Sequence, residues 1–281
     1  MVARCAVLAL MVCAATAEAK PRWQELPLPP ALPEPATHGE VVVDGAHIYY
    51  ATYGKGPPVL LLHGGLGSGE QFGFQVPALA EKYQLVLIDT RGHGRSTLTR
   101  TKLTYHLMAE DVIAVMDKLE LPRASIVGWS DGGEIGLDLA IHHADRLAKL
   151  FVIGANYDVH GSKNRGDHTV TFAMYGAKCR KDYDRLTEKS KRKWDALVDA
   201  MLPVWHNPSV FTKDQLRAIT VPTVVADGDH DEIIELAQIK EMATLIPKGK
   251  LVVFENASHF VMWQDPAAVN QAIAEFLGDG T

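Results

Sequence analysis

The chain has 281 residues, 47% hydrophobic and 22% charged, with a formal net charge of −6. That is enough apolar material for one large buried core, and the acidic balance excludes an electrostatic footprint for nucleic acid. Residues 1–19 stand apart: Arg4 supplies a positive start, Ala6 to Ala17 a short apolar run, and Ala17-Glu18-Ala19 a small-x-small cleavage site. This segment is expected to be a secretory signal peptide, with the mature protein periplasmic or secreted. The run is too short for a bilayer, which needs about twenty apolar residues, so no membrane span is expected. Cleavage would remove Cys5 and Cys13 and leave Cys179 alone, so no intramolecular disulfide is expected.

Residues 20–38 hold six prolines and read as an extended lead-in. Glu40 to Val43 and His47 to Tyr53 alternate like a hairpin around Asp44-Gly45. Pro58 to Leu62 is a continuous apolar run, as in a strand buried on both faces of a parallel sheet. A strand at Gln84 to Ile88, a helix from Tyr105 to Leu119, a strand ending at Trp129, a helix to about Ala144 and a strand at Leu150 to Ile153 follow. The alternation resumes with a strand at Thr223 to Ala226, a helix around Ile234 to Leu245, a strand at Leu251 to Phe254 and a last helix from Pro266 to Leu277. Such alternation predicts an α/β fold with a mostly parallel sheet flanked by helices. The pattern breaks between 156 and 217, where charges crowd and Trp194, Leu197, Val198 and Met201 recur at helical spacing. This stretch reads as a helical cap inserted between two parts of one core, 39–155 and 218–281; the basic run at 188–193 is read as a solvated helix face.

The chemistry gathers around Ala124-Ser125-Ile126-Val127-Gly128-Trp129-Ser130-Asp131-Gly132-Gly133, an apolar strand running through G-x-S-x-G into a helix. In that context the motif predicts a nucleophile elbow, so sharp that the residues two before and two after Ser130 must be glycine. A serine hydroxyl needs a base, and the imidazole that serves needs a carboxylate to fix its tautomer. His259, after the Leu251 to Phe254 strand, is the expected base. Asp231, after the Thr223 to Ala226 strand, is the expected acid, with Asp229 and Asp158 as alternatives. His63-Gly64-Gly65-Leu66-Gly67 offers an oxyanion turn, whose donors would be the N–H of Gly65 and that of Asp131. Neither G-x-G-x-x-G nor a Walker lysine is present for phosphate. No metal site is expected: Glu232 stands where a calcium loop opened by Asp227, Asp229 and Asp231 needs glycine, and His142 and His143 are neighbours that cannot face one ion.

With these residues in place, the chain resembles the α/β-hydrolase superfamily from about residue 40 onward. Asp89-Thr90-Arg91-Gly92-His93-Gly94-Arg95-Ser96 matches that family's turn after its fourth strand. Leu66-Gly67-Ser68-Gly69-Glu70 and the elbow are similar to the biphenyl hydrolase-like esterases of the valacyclovir hydrolase type. The resemblance implies a cofactor-free carboxylesterase acting on a small ester through a Ser, Asp, His triad. It also implies that Asp131 binds the cation of an α-amino ester, whereas the helix dipole alone would equally place an acid there. Phe72, Phe74, Tyr157, Trp205, Phe260 and Trp263 are candidate pocket lining. Rival readings are carbon–carbon bond hydrolysis or perhydrolysis on the same triad, and a ligand receptor built on the hydrolase scaffold; oligomeric state is not legible.

Overall fold

The structure, a computed structural model, describes residues 20–163, 168–187, 193–207 and 210–278. The expected export signal and residues 188–192 of the basic run lie outside them. After the lead-in come β1 (Thr37–Val43), β2 (Ala46–Tyr53), β3 (Pro58–Leu62), α1 (Gln75–Leu79), β4 (Gln84–Ile88), α2 (Tyr105–Lys118), β5 (Ala124–Trp129), α3 (Asp131–His142) and β6 (Leu147–Ile153). Between β6 and β7 (Thr223–Gly228) the described residues form α4 (Val170–Thr187), α5 (Trp194–Trp205) and α6 (Lys213–Arg217). The chain closes with α7 (Leu236–Leu245), β8 (Gly249–Phe254), α8 (Val261–Gln264) and α9 (Pro266–Gly278).

The eight strands form one sheet in the order β1-β2-β4-β3-β5-β6-β7-β8. β2 pairs antiparallel with β1 and β4, and every later pairing is parallel. Side chains alternate across the pleat, so the apolar runs feed two cores. Leu60, Leu62, Val86, Ile88 and Ile126 face a layer containing α2, α3 and α7. Val59, Leu61, Leu85, Leu87 and Val127 face α1, α8 and α9. The chain leaves β3 for β4 on one side and then returns past β3 to β5 on the other. The strand order reverses there, and a crevice opens beyond the carboxyl ends of the strands.

Capping and turn chemistry explain several boundaries. α2 starts at Tyr105 because the Thr104 side chain accepts the Leu107 N–H at 3.0 Å. The β1–β2 turn uses left-handed φ at Asp44 (48°) and Gly45 (78°). β1 begins inside the expected lead-in, because Thr37 pairs with Thr52 and their hydroxyls meet at 2.7 Å. The lead-in itself is tied down: Arg22 Nη1 donates to Asp265 Oδ2 at 2.6 Å, and Gln264 Nε2 donates to the carbonyl of Glu25 at 2.7 Å.

Candidate active site

β5 runs straight into a residue that no ordinary turn would accept. Ser130 has φ 53° and ψ −126°, and α3 starts at the next residue. The reversal is so tight that a Cβ on Gly128 would lie 2.1 Å from the carbonyl oxygen of Gly132, and one on Gly132 would lie 2.0 Å from that of Leu62. Ser130 N–H donates to the carbonyl of Ile153 at the end of β6 (2.8 Å), and the Ser130 carbonyl accepts the Gly133 N–H (2.6 Å). The strained residue is therefore held from both sides.

His259 follows β8. Its Nε2 lies 3.1 Å from Ser130 Oγ, and its Nδ1–H donates to Asp231 Oδ2 at 2.7 Å. The ring is held by its own main chain, whose carbonyl accepts the Trp129 indole N–H at 2.9 Å. Asp231 Oδ1 accepts the N–H groups of Ile233 (2.5 Å) and Ile234 (2.7 Å), leaving Oδ2 for the imidazole. Of the three carboxylates weighed from the sequence, Asp231 is the one that reaches His259. Asp229 Oδ1 accepts from Ala257 N–H and His230 Nδ1, and Asp158 Oδ1 accepts from His160 N–H and the Gln238 side chain.

Burial alone would lower the pKa of His259, but the Asp231 carboxylate against Nδ1 outweighs it and raises the imidazole above its ordinary value. Burial would raise Asp231, but the imidazole's charge and hydrogen bond bring it below the usual carboxylate range. Behind this pair lies Asp227, fully buried, with Oδ1 accepting the Gly228 N–H at 2.8 Å and no N–H or O–H among the described residues offered to Oδ2. Burial, then the charge of Asp231, then a hydrogen bond to it hold Asp227 well above the carboxylate range. Asp227 and Asp231 offer oxygens within 4.8 Å of each other, and two carboxylates this close in a dry site resist ionising together, so the charge rests on Asp231 and Asp227 keeps its proton.

The turn after β3, the candidate oxyanion turn, is fixed by another buried imidazole. His63 Nδ1–H donates to the Gly64 carbonyl (2.8 Å), and its Nε2 accepts the Thr90 N–H (3.0 Å), locking the turn after β3 to the turn after β4. Burial lowers the His63 pKa, consistent with a neutral ring that both donates and accepts. The second turn is closed by Asp89, which accepts the N–H groups of Gly69 and Arg95 at 2.8 Å each. Tyr175 donates its hydroxyl to the Gly65 carbonyl at 2.6 Å.

Ser130, Gly65, Asp131 and His259 border a cavity of about 210 Å³. Asp131, 8% exposed, accepts the Tyr105 hydroxyl at 2.9 Å and the Trp205 indole N–H at 3.0 to 3.1 Å. Burial raises its pKa despite those donors. Glu134 lies one turn further along α3. Its Oε1 accepts the Asn156 N–H at 3.0 Å, its Oε2 has no partner among the described residues, and burial followed by the charge of Asp131 holds it well above the carboxylate range.

Residues 59–272 match the profile described as the Alpha/beta hydrolase family. The chain belongs to that family. Similar proteins include the putative carbamate hydrolase RutD of Caulobacter sp. (strain K31), 43% identical over 84% of this chain and 96% of that one. Est816, solved as an N-acyl homoserine lactone degrading enzyme, is 28% identical at a TM-score of 0.67, over 84% of this chain and 99% of that one. A meta-cleavage product hydrolase from Pseudomonas fluorescens IP01 shares the fold at a TM-score of 0.75 and 20% identity, over 86% of this chain and 98% of that one.

Within this α/β hydrolase the expected lining divides. Trp205 and Asp131 border the cavity; the other five expected lining residues do not, and the sequence-based assignment is corrected for them. Phe72 is fully buried in the core against α1 and α9. Phe260 is fully buried in an aromatic stack, with ring centroids 5.1 Å from Tyr175 and 6.0 Å from Trp129. Tyr157 sends its hydroxyl outward to Glu241 Oε2 at 2.6 Å. Phe74 and Trp263 pack in the same core as Phe72. In their place the cavity is bordered by Tyr105, Glu134, Phe172, Tyr175 and Lys163, which arrive from α2, α3, α4 and the loop before α4. Cys179, on the buried face of α4, is a free thiol that burial pushes up to about 12, which leaves it unreactive.

Proposed function

We propose that this hydrolase is a carboxylic ester hydrolase that forms an acyl-enzyme on Ser130. The observation that carries the reading is the Ser130 Oγ to His259 Nε2 to Asp231 relay of 3.1 and 2.7 Å at the edge of a closed-in cavity. His259 Nε2 takes the Oγ proton as Oγ adds to the ester carbonyl; Asp231 holds the tautomer and stabilises the imidazolium. The oxyanion is met by the backbone N–H groups of Gly65 and Asp131. The second is the first residue of α3, whose N–H has no intrahelical acceptor. Collapse passes the proton from His259 to the departing alkoxide. Water, deprotonated by the same nitrogen, then releases the acid. The small cavity suits a small acyl group.

Asp131 is the candidate reader of that acyl group. Tyr105 and Trp205 fix its carboxylate but leave acceptor positions over, so an α-ammonium next to the carbonyl would gain a charge-assisted bond. This is expected to favour α-amino esters over their des-amino analogues by roughly ten- to a hundredfold in kcat/KM, with the preference lost in Asp131→Asn. Equal losses on both esters would leave Asp131 a helix-terminus role only.

A second reading is favoured by the likeness to the putative carbamate hydrolase: a carbamate's N–H groups would find Asp131 and Glu134 beside the carbonyl. A p-nitrophenyl acetate assay run against a carbamate analogue separates the two. The ester reading predicts a burst of p-nitrophenol followed by turnover, abolished in Ser130→Ala. Binding without turnover would make the protein a receptor on the hydrolase scaffold and overturn the proposal.

A further inference from the structure

Three side chains with metal-ligand chemistry converge where α2 packs on α3, outside the cavity bordered by Ser130. His106 stands on the first turn of α2, while Asp138 and His142 lie one turn apart on α3 and so share a face. Asp138 is 4% exposed and points its two oxygens at two imidazoles: Oδ1 lies 2.9 Å from His106 Nδ1, and Oδ2 lies 3.9 Å from His142 Nε2. One ligand atom from each of the three residues lies within 4.8 Å of the others. A tetrahedral zinc ion with N and O ligands at about 2.1 Å separates them by about 3.4 Å. The observed spacings straddle that value, and small side-chain rotations close the difference.

Two further features fit an ion better than a chance cluster. Among the described residues the ion pairs of Asp138 are with these two histidines, so the nearly buried carboxylate faces no permanent cation. Behind the cluster, His106 Nε2 faces Glu110 Oε1 at 3.9 Å, and Glu110 also accepts from His143 Nε2 at 2.6 Å. A side-chain rotation of Glu110 would bring it into hydrogen-bond range of His106 Nε2, the usual outer-shell support for a ligating imidazole. The two imidazoles are 55% and 42% exposed in their side chains, which leaves an entry path and room for water to complete the shell.

We propose that His106, Asp138 and His142 form a site for a divalent transition metal, zinc foremost, that ties the start of α2 to the end of α3. Two imidazoles and one carboxylate are a donor set for zinc, nickel or copper rather than calcium or magnesium. The sequence does not disclose the site, because His142 and His143 diverge to different carboxylates and the third ligand comes from a helix far away in the chain.

The test uses the full chain, stripped with chelator and titrated with zinc chloride by calorimetry. The site predicts one zinc per chain, an affinity falling by at least about tenfold in each of His106→Ala and His142→Ala, and no change in His47→Ala, an unrelated exposed histidine. Zinc at a hundred times its Kd is expected to raise Tm by at least about 4 °C in the wild type only. His142→Gln guards against a folding defect in the alanine variant, and cobalt substitution should give a visible spectrum that the variants lose. The other cluster of the right spacing, Asp227, Asp231 and His259, supplies the contrary outcome. Zinc that inhibits hydrolysis and binds equally well to both His106→Ala and His142→Ala would sit there and overturn the proposal, as would the absence of binding heat.

Discussion

If Ser130, His259 and Asp231 act through one another, as proposed, their energetics should show it. Ser130→Ala and His259→Ala are each expected to cost about 10⁴-fold or more in kcat, and the double variant little beyond either; independent, multiplying losses would contradict the relay. Asp231→Asn should cost about 10³- to 10⁴-fold, while Asp229→Asn and Asp158→Asn, whose carboxylates are engaged elsewhere, should be mild. The pH profile follows from the same contacts. Protonated His259 has no lone pair for the serine proton, and Asp231 raises its pKa. kcat/KM should therefore climb with pH through a midpoint above about 6.5, and Asp231→Asn should move that midpoint down.

Asp227 and Glu134 carry a second pH prediction. Both carboxyls are held above their unfolded values. The native state thus keeps protons that the unfolded chain releases, and the stability these groups contribute is complete below about pH 4 and is lost as pH rises. Asp227→Asn and Glu134→Gln have no proton to keep, so each should raise Tm relative to wild type more at pH 8 than at pH 5. Asp227→Asn also preserves a neutral donor toward Asp231 and is expected to stay near wild-type kcat at pH 7. Melts and rates across that range check both; a pH-independent difference would show that these carboxyls ionise freely. The Asp227–Asp231 pairing was not legible in the chain, because two acids in a loop say nothing about which of them is dry.

At the scale of elements, the elbow is the most demanding piece of backbone. Gly132→Ala would drive a Cβ into the carbonyl oxygen of Leu62, with no flexible side chain to yield. It should lower Tm and cut kcat by more than about a hundredfold, since a displacement of about 1 Å already costs that much. Wild-type activity in that variant would contradict the turn as described. The strands were readable because a strand buried on both faces is a run of apolar residues, and Pro58–Leu62, Gln84–Ile88 and Ala124–Trp129 begin and end where the composition changes. α1 and α8, at five and four residues, hold too little periodicity to be seen. Whether an aromatic residue lines a cavity or fills a core is set by what packs over it, which is why Trp205 borders the cavity while Phe72 and Phe260 sit in the core and Tyr157 turns outward.

At the scale of the molecule, the reversal of strand order beside β3 brings distant pieces of chain to one crevice: Ser130 from the elbow after β5, Asp231 from beyond β7 and His259 from beyond β8. The helices between β6 and β7 then supply Phe172, Tyr175 and Trp205 to the cavity. The order Ser, Asp, His was legible because each residue follows a strand closely; Tyr105 and Glu134 were not, since nothing local marks a helix residue as facing a cavity. Export is a separate proposal from the sequence of residues 1–19, and amino-terminal sequencing of the exported fraction should read Lys20 first. The central claim is covalent. Rapid-quench mass spectrometry with p-nitrophenyl acetate should find one acetyl group on the peptide that carries Ser130, formed within the burst and missing from Ser130→Ala. Turnover with that peptide unmodified, or an acetyl group on a different residue that persists in Ser130→Ala, would contradict the account.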